Sequence, residues 1–315
     1  MNINNPIRKA MRDGYGEAIV ELAKRNKDIV ALTGDLAGSL KLDEFKLRFP
    51  DRFFEIGIAE QNMMGIAAGL ASTGKIPFVS SFAMFVAGRS WEQLRTAVCY
   101  ANFNVKIIGS HAGLSNSRDG ASHQNLEDFA ALRAIPNLII IAPCDYNETK
   151  KAVHEAARIK GPVYIRFNRS ETPILTEEKG RFRVGRAETL REGNDLAIIS
   201  CGAMVYESLV AAQELAKKGI HARVINMHTI KPIDKEAIIL AAKETKKIVT
   251  VEEHQVNGGL GGAVAEVLSQ NSPARLKIIG VKDRFGQSGA LGDVMKEYGL
   301  TSESIIKEIH DFYWK

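Results

Sequence analysis

The stretch Phe54-Glu55-Ile56-Gly57-Ile58-Ala59-Glu60-Gln61-Asn62-Met63-Met64-Gly65 decides how the chain reads. A short apolar run meets a glycine turn. A segment rich in Gly, Ala and Met follows and predicts a helix over 60–73. This is the strand–turn–helix unit of an α/β sheet. Glu60 falls at the helix start, where an acid complements the helix dipole. That bland role accounts for it as well as any other at this point. Its neighbours Ile58, Met63, Met64 and Ile66 are apolar, however. A carboxylate in such surroundings can hold and return a proton near neutral pH.

The same pattern extends outward. Apolar runs predict strands at 28–32, 53–56, 77–80, 105–109, 138–142 and 163–167. Amphipathic stretches predict helices near 14–25, 60–73, 89–101 and 146–159. Many of the apolar runs are continuous, the mark of parallel strands buried on both faces. From 171 to 194 the chain turns charged and is broken by Pro173, Gly180, Gly185 and Gly193, which reads as a linker. A second α/β pattern follows, with strands at 196–200, 222–226, 248–251 and 276–280. Its helices are expected at 205–218, 235–242, 261–269 and 302–312. The expected fold is therefore two consecutive doubly wound α/β domains with largely parallel sheets: 1–172, a linker over 173–193, and 194–315.

Composition is that of an ordinary globular chain. The 42 Lys and Arg against 37 Asp and Glu leave a net charge of +5. The basic residues are dispersed, with Lys24-Arg25 and Lys246-Lys247 the densest runs. No nucleic-acid partner is expected; a few arginines aimed at a small anion remain open. Cys99, Cys144 and Cys201 are far apart and lie in apolar stretches, so they read as buried thiols and not as a disulfide framework or zinc knuckle. The N-terminus lacks an apolar targeting core, and no apolar run approaches the ~20 residues of a membrane span. The expected compartment is the cytoplasm, with no membrane partner.

Three further motifs bear on chemistry. Ser80-Ser81-Phe82-Ala83-Met84-Phe85 ends a predicted strand, where open α/β sheets bind ligands. Its two phenyl rings read either as core aromatics or as a clamp for a flat heterocycle. The loop His111-Ala112-Gly113-Leu114-Ser115-Asn116-Ser117-Arg118-Asp119-Gly120-Ala121-Ser122-His123-Gln124 follows another strand and has no periodicity. Polar loops at strand ends are where sites concentrate. Its histidines and aspartate match no metal-ligand spacing, so sugar-hydroxyl recognition and proton transfer fit it better than a metal. Asn257-Gly258-Gly259-Leu260-Gly261-Gly262 opens a helix. Val264 stands where a dinucleotide fingerprint needs glycine, so close helix packing or a subunit contact is expected. Neither GxxxxGK[ST] nor GxSxG occurs, which disfavours P-loop NTPases and α/β-hydrolases.

Taken together, these motifs resemble the transketolase family of thiamine-diphosphate enzymes, specifically the C-terminal half of a full-length member. The carriers are residues 12–16, 34–39, 57–65, 82–85, 111–124, 136–144 and 249–262. The glutamate motif followed by Asp-Gly-x-x-His-Gln is the specific part. The resemblance implies a pyrimidine-binding domain and a transketolase C-terminal domain. It implies that Glu60 contacts N1′ of the cofactor's aminopyrimidine and favours the imino tautomer. Phe82 and Phe85 would flank that ring, with Asp35 and Leu36 beside the cofactor across a subunit boundary. His111, Asp119 and His123 would lie along the sugar chain, with His123 joining Glu60 in proton handling. Arg12, Ser39 and Arg169 would hold the substrate's terminal phosphate, near His111.

Two departures from the family pattern matter. Gly88-Arg89-Ser90-Trp91 does not align with the residue the family often carries after its phenylalanine pair, so no role is assigned there. The Gly-Asp-Gly…Asn signature for Mg²⁺ and diphosphate is absent, so the sequence provides no metal ligand. The expectation is one subunit of a split transketolase, joined in an α2β2 assembly by an N-terminal subunit carrying the diphosphate and Mg²⁺ sites. It would transfer a two-carbon ketol unit between sugar phosphates. Alternatives sharing the domain pair are 1-deoxy-xylulose-5-phosphate synthase, which has a similar Asp283-Arg284-Phe285, the β subunit of a 2-oxo-acid dehydrogenase, and a transketolase for an unusual sugar phosphate. A scaffold that kept the fold without the chemistry is the non-enzyme reading.

Overall fold

The continuous apolar runs become strands buried on both faces. The computed structural model describes Ile3 and residues 5–314. Its strands in chain order are β1 (Arg8–Ala10), β2 (Ile29–Thr33), β3 (Phe53–Glu55), β4 (Ile76–Phe82), β5 (Lys106–Ser110), β6 (Ile139–Ile141) and β7 (Val163–Arg166). There follow β8 (Glu171–Pro173), β9 (Glu188–Arg191), β10 (Leu196–Ser200), β11 (Ala222–Asn226), β12 (Thr229–Lys231), β13 (Lys247–Gln255) and β14 (Arg275–Val281).

A seven-stranded sheet has the order β12-β6-β7-β5-β4-β2-β3. Every pair in it is parallel except β12 with β6. Alternate residues of one strand serve opposite faces. Ile29 and Ala31 pack with helices Met11–Arg25 and Tyr146–Arg158. Val30 and Leu32 point the other way, toward Met63 and Met64 of helix Glu60–Ser72. That second apolar layer also takes in Leu260, Val264 and Val267 of helix Leu260–Asn271, so the C-terminal half helps cover the first sheet. The second sheet has the order β14-β13-β10-β11-β9, parallel except for β9. The fold is thus the expected α/β pair of mostly parallel sheets.

Several elements differ from the sequence reading. β1 pairs antiparallel with β8, and β9 falls in the stretch read as a linker. β12 comes from the C-terminal half yet closes the edge of the first sheet. The helix expected over 89–101 is broken: a π-helix Met84–Arg89, one α-turn Trp91–Gln93 and a second π-helix Leu94–Tyr100. The glycine run of 257–262 packs closely. A Cβ on Gly259 would meet Glu252 Oε2 at 2.0 Å, and the Glu252 carboxylate accepts from the backbone N–H groups of Leu260 and Gly261. This helix start is therefore satisfied from within. Cys99, Cys144 and Cys201 are buried free thiols. Among the described residues, no helix is long and apolar enough to cross a membrane.

Candidate active site

Parallel strands end on the same side, so the residues that follow them converge. Asp35 follows β2, Glu60 follows β3, Phe82 closes β4, His111 follows β5 and Arg169 follows β7. Ligands of open α/β sheets bind at this carboxyl edge. Asp35 and His111 both hold a left-handed backbone, at φ 60° and 56°. Non-glycine residues adopt it rarely, and it tends to accompany functional sites.

Glu60 is 1% exposed, although it starts its helix. Its Oε1 accepts from the Ser81 hydroxyl at 3.3 Å, and its Oε2 accepts from Arg89 Nη1 at 2.7 Å. The sequence led to an acid alone among apolar side chains; the structure pairs it with a guanidinium. Arg89 is the residue that sequence reasoning left without a role. The available signal was a charge four residues after Phe85, and only the fold shows what it reaches.

Phe82 and Phe85 lie nearly parallel, with ring centroids 6.1 Å apart and an interplanar angle of 18°. A ring inserted between them needs about 7 Å, twice the ~3.5 Å carbon contact distance. They are therefore neighbours in one wall and not the two jaws of a clamp. Phe82 is also stacked on His111, 4.0 Å between centroids at 22°. His123 stands edge-on to Phe85 at 5.2 Å and 80°. The wall thus joins the phenylalanine motif to both histidines of the 111–124 loop.

A second group lies around His111. Arg12 Nη1 donates to the Ser39 carbonyl at 3.1 Å, so two residues expected at a phosphate do meet. His111 pairs through Nδ1 with the Ser110 hydroxyl at 2.8 Å. Burial, reinforced by the nearby charges of Arg12 and Arg169, lowers its pKa to about 3. The imidazole is therefore neutral at working pH, and the cationic character of this corner belongs to the arginines. His123 Nδ1 meets the Ser122 hydroxyl at 2.9 Å, while Asp119 is exposed near the loop tip. Asp35 is exposed and its backbone N–H donates to Glu55; Leu36 is half-buried beside it.

The C-terminal half braces the 111–124 loop at separate points. Glu253 Oε1 accepts from the Ser115 N–H, Gln124 Nε2 donates to the Gln287 carbonyl, and the Gly289 N–H donates to the Ser117 carbonyl. Beneath it, Arg166 Nε donates to both oxygens of Asp128, and its Nη2 donates to the Glu253 carbonyl. Asp128 also accepts from the Tyr164 hydroxyl. No local pattern in the chain signals this junction.

A buried acid beside an aromatic wall suits a flat heterocycle with a basic ring nitrogen. The donor set therefore fits the aminopyrimidine end of thiamine diphosphate, provided Arg89 yields the Glu60 oxygen.

The family model described as the transketolase pyrimidine binding domain matches residues 8–174, and that of the transketolase C-terminal domain matches residues 185–305. A putative transketolase C-terminal section of Methanocaldococcus jannaschii is 50% identical over 304 residues, 96% of this chain and 95% of that protein. An apulose-4-phosphate transketolase subunit of Phocaeicola vulgatus is 43% identical over 99% of both chains. A solved structure described as a split-gene transketolase, an inactive β4 tetramer, superposes with a TM-score of 0.90 at 46% identity, covering 96% of this chain and 97% of that one.

Proposed function

Since the chain belongs to the transketolase family, we propose that it is the C-terminal subunit of a split transketolase, working in the cytoplasm with an N-terminal partner. The observation that carries this reading is Glu60: a fully buried carboxylate at the sheet's carboxyl edge, next to the Phe82–Phe85 wall. Relatives of this chain's own length that are described as transketolase sections or subunits support the split. The domain division at 1–172, 173–193 and 194–315 is part of the same proposal.

Thiamine diphosphate, when bound, supplies the carbanion chemistry of ketol transfer. This chain's residues bind, orient and move protons. Glu60 holds the proton at the pyrimidine N1′. Phe82 and Phe85 give the ring a dry face. Asp35 and Leu36 border the cofactor at the subunit boundary. Arg12, Ser39 and Arg169 take the substrate's terminal phosphate, the arginines through bidentate hydrogen bonds. Neutral His111 adds a hydrogen bond there without adding charge. Asp119 accepts from a sugar hydroxyl near the carbonyl, and His123 handles a proton beside it. Diphosphate and Mg²⁺ are assigned to the partner, in an α2β2 assembly.

The reaction proposed is transfer of a two-carbon ketol unit from a ketose phosphate to an aldose phosphate. A ketose outside the common sugar phosphates is a second reading, favoured by the relative described as acting on apulose 4-phosphate. Copurification from the native lysate, with mass spectrometry, tests the split. A partner bearing Gly-Asp-Gly…Asn is expected; recovery of this chain by itself would count against it. Turnover profiles with xylulose 5-phosphate, pyruvate and branched 2-oxo acids then separate transketolase from the synthase and dehydrogenase alternatives.

A further inference from the structure

Arg89 touches two parts of the pyrimidine site at once. Its Nη1 donates to Glu60 Oε2 at 2.7 Å, and its guanidinium carbon sits 4.7 Å from the centroid of the Phe85 ring. One side chain thus fills the acid's outer oxygen and covers an aromatic face. The π-helix Met84–Arg89 sets this reach: the Ser90 N–H bonds back to the Phe85 carbonyl, five residues earlier, and Arg89 is the last helical residue. Single π-turns are frequent at functional sites.

The exposure of the pair is lopsided. The Glu60 side chain is 1% exposed and that of Arg89 45%. Removing the guanidinium would leave a buried carboxylate short of a partner, which is the costly event in breaking such a pair. Arg89 itself can turn into water at little cost. The pair therefore stays closed until an incoming ring shares a proton with Oε2 through its basic nitrogen and lays its own flat face on Phe85.

We propose that Arg89 is a latch on Glu60, holding the pyrimidine site shut in the free subunit and released as the aminopyrimidine takes its place. The inference rests on reading Glu60 as the pyrimidine-contacting acid. It makes Arg89 pairing and pyrimidine binding compete for one carboxylate oxygen. It also predicts that the isolated subunit binds the cofactor weakly.

The test uses the full-length chain and the neutral probe 4-amino-5-(hydroxymethyl)-2-methylpyrimidine. A neutral probe excludes any attraction between Arg89 and phosphate. Binding is followed by ligand-observed NMR for wild type, Arg89→Gln, Arg89→Lys and Glu60→Gln, after matched melting temperatures show that each is folded. Arg89→Gln should bind roughly two- to five-fold more tightly, the order set by loss of one partly exposed ion pair. Arg89→Lys, which keeps the charge without the planar cover on Phe85, should fall between it and wild type. Glu60→Gln should weaken binding. If Arg89→Gln binds no more tightly while Glu60→Gln still weakens the probe, the latch is overturned and the site reading survives. If the probe is indifferent to both positions, the site reading fails and the latch with it.

Discussion

Glu253, on the strand β13 of the C-terminal half, accepts a hydrogen bond from the backbone N–H of Ser115, in the middle of the loop that carries His111, Asp119 and His123. Both residues are buried. Gly113, two residues earlier at φ 76°, lies so close that a Cβ there would meet Glu253 Cδ at 2.4 Å. The C-terminal half thus shapes a loop it does not contribute to.

Glu253→Ala would leave the Ser115 N–H buried without a partner, a cost of about 1–3 kcal/mol. The loop would loosen before the sheet does. Hydrogen exchange at 111–124 should speed up, and KM for the sugar phosphate in the reconstituted enzyme should rise more than kcat falls. Unchanged exchange in that loop would contradict the bracing role.

Asp128 is fully buried and accepts from Arg166 through both oxygens and from Tyr164. Asp128→Ala strands the Arg166 charge and should destabilise the chain by roughly 3–5 kcal/mol. Urea unfolding monitored by circular dichroism reads this directly. A loss below about 1 kcal/mol, the level of an exposed pair, would show that the pair is not desolvated as described.

Glu148 lies buried beneath Asn226 and the Cys144 N–H, and burial raises its pKa to about 7. A carboxyl raised in the folded state stabilises below its unfolded value of 4.5 and loses that contribution as pH climbs through about 7. Glu148→Gln mimics the protonated form and does not titrate. Its stability relative to wild type should therefore increase between pH 5 and pH 8, approaching about 3 kcal/mol at 1.36 kcal/mol per unit. Melting curves at the two pH values test it; a pH-independent difference would refute the shift.

Glu60→Gln removes the carboxylate proposed to contact the pyrimidine while keeping its shape. In the reconstituted enzyme turnover should fall by about 10²–10⁴-fold, the range for a positioned acid–base group. Undiminished turnover would favour a scaffold role for this subunit.

How much of this was legible depended on range. β2, β5 and β7 are wholly buried, and their unbroken apolar runs announced parallel strands. β1 and β8 are three-residue segments whose partners lie 163 residues apart at the central pair, Lys9 and Thr172, so neither carries a local pattern. β12 is an edge strand whose identity comes from β6. The candidate residues Asp35, Glu60, Phe82, His111 and Arg169 follow or close strands that topology gathers at one edge, a placement the strand pattern makes readable. The Arg89–Glu60 pair was not readable, since it depends on a π-turn and a side-chain rotamer across 29 residues. The arrangement of Phe82 and Phe85 was out of reach for a related reason: sequence gives the rings but not the His111 stacked on one of them.

The central claim is that this chain holds the pyrimidine side of a transketolase site and needs a partner for the rest. The most direct measurement is two-carbon transfer from xylulose 5-phosphate to an aldose phosphate, with thiamine diphosphate and Mg²⁺, for the purified chain alone and after adding the N-terminal subunit. No turnover is expected from the chain alone, and turnover is expected on mixing. Full turnover from the chain alone would contradict the claim.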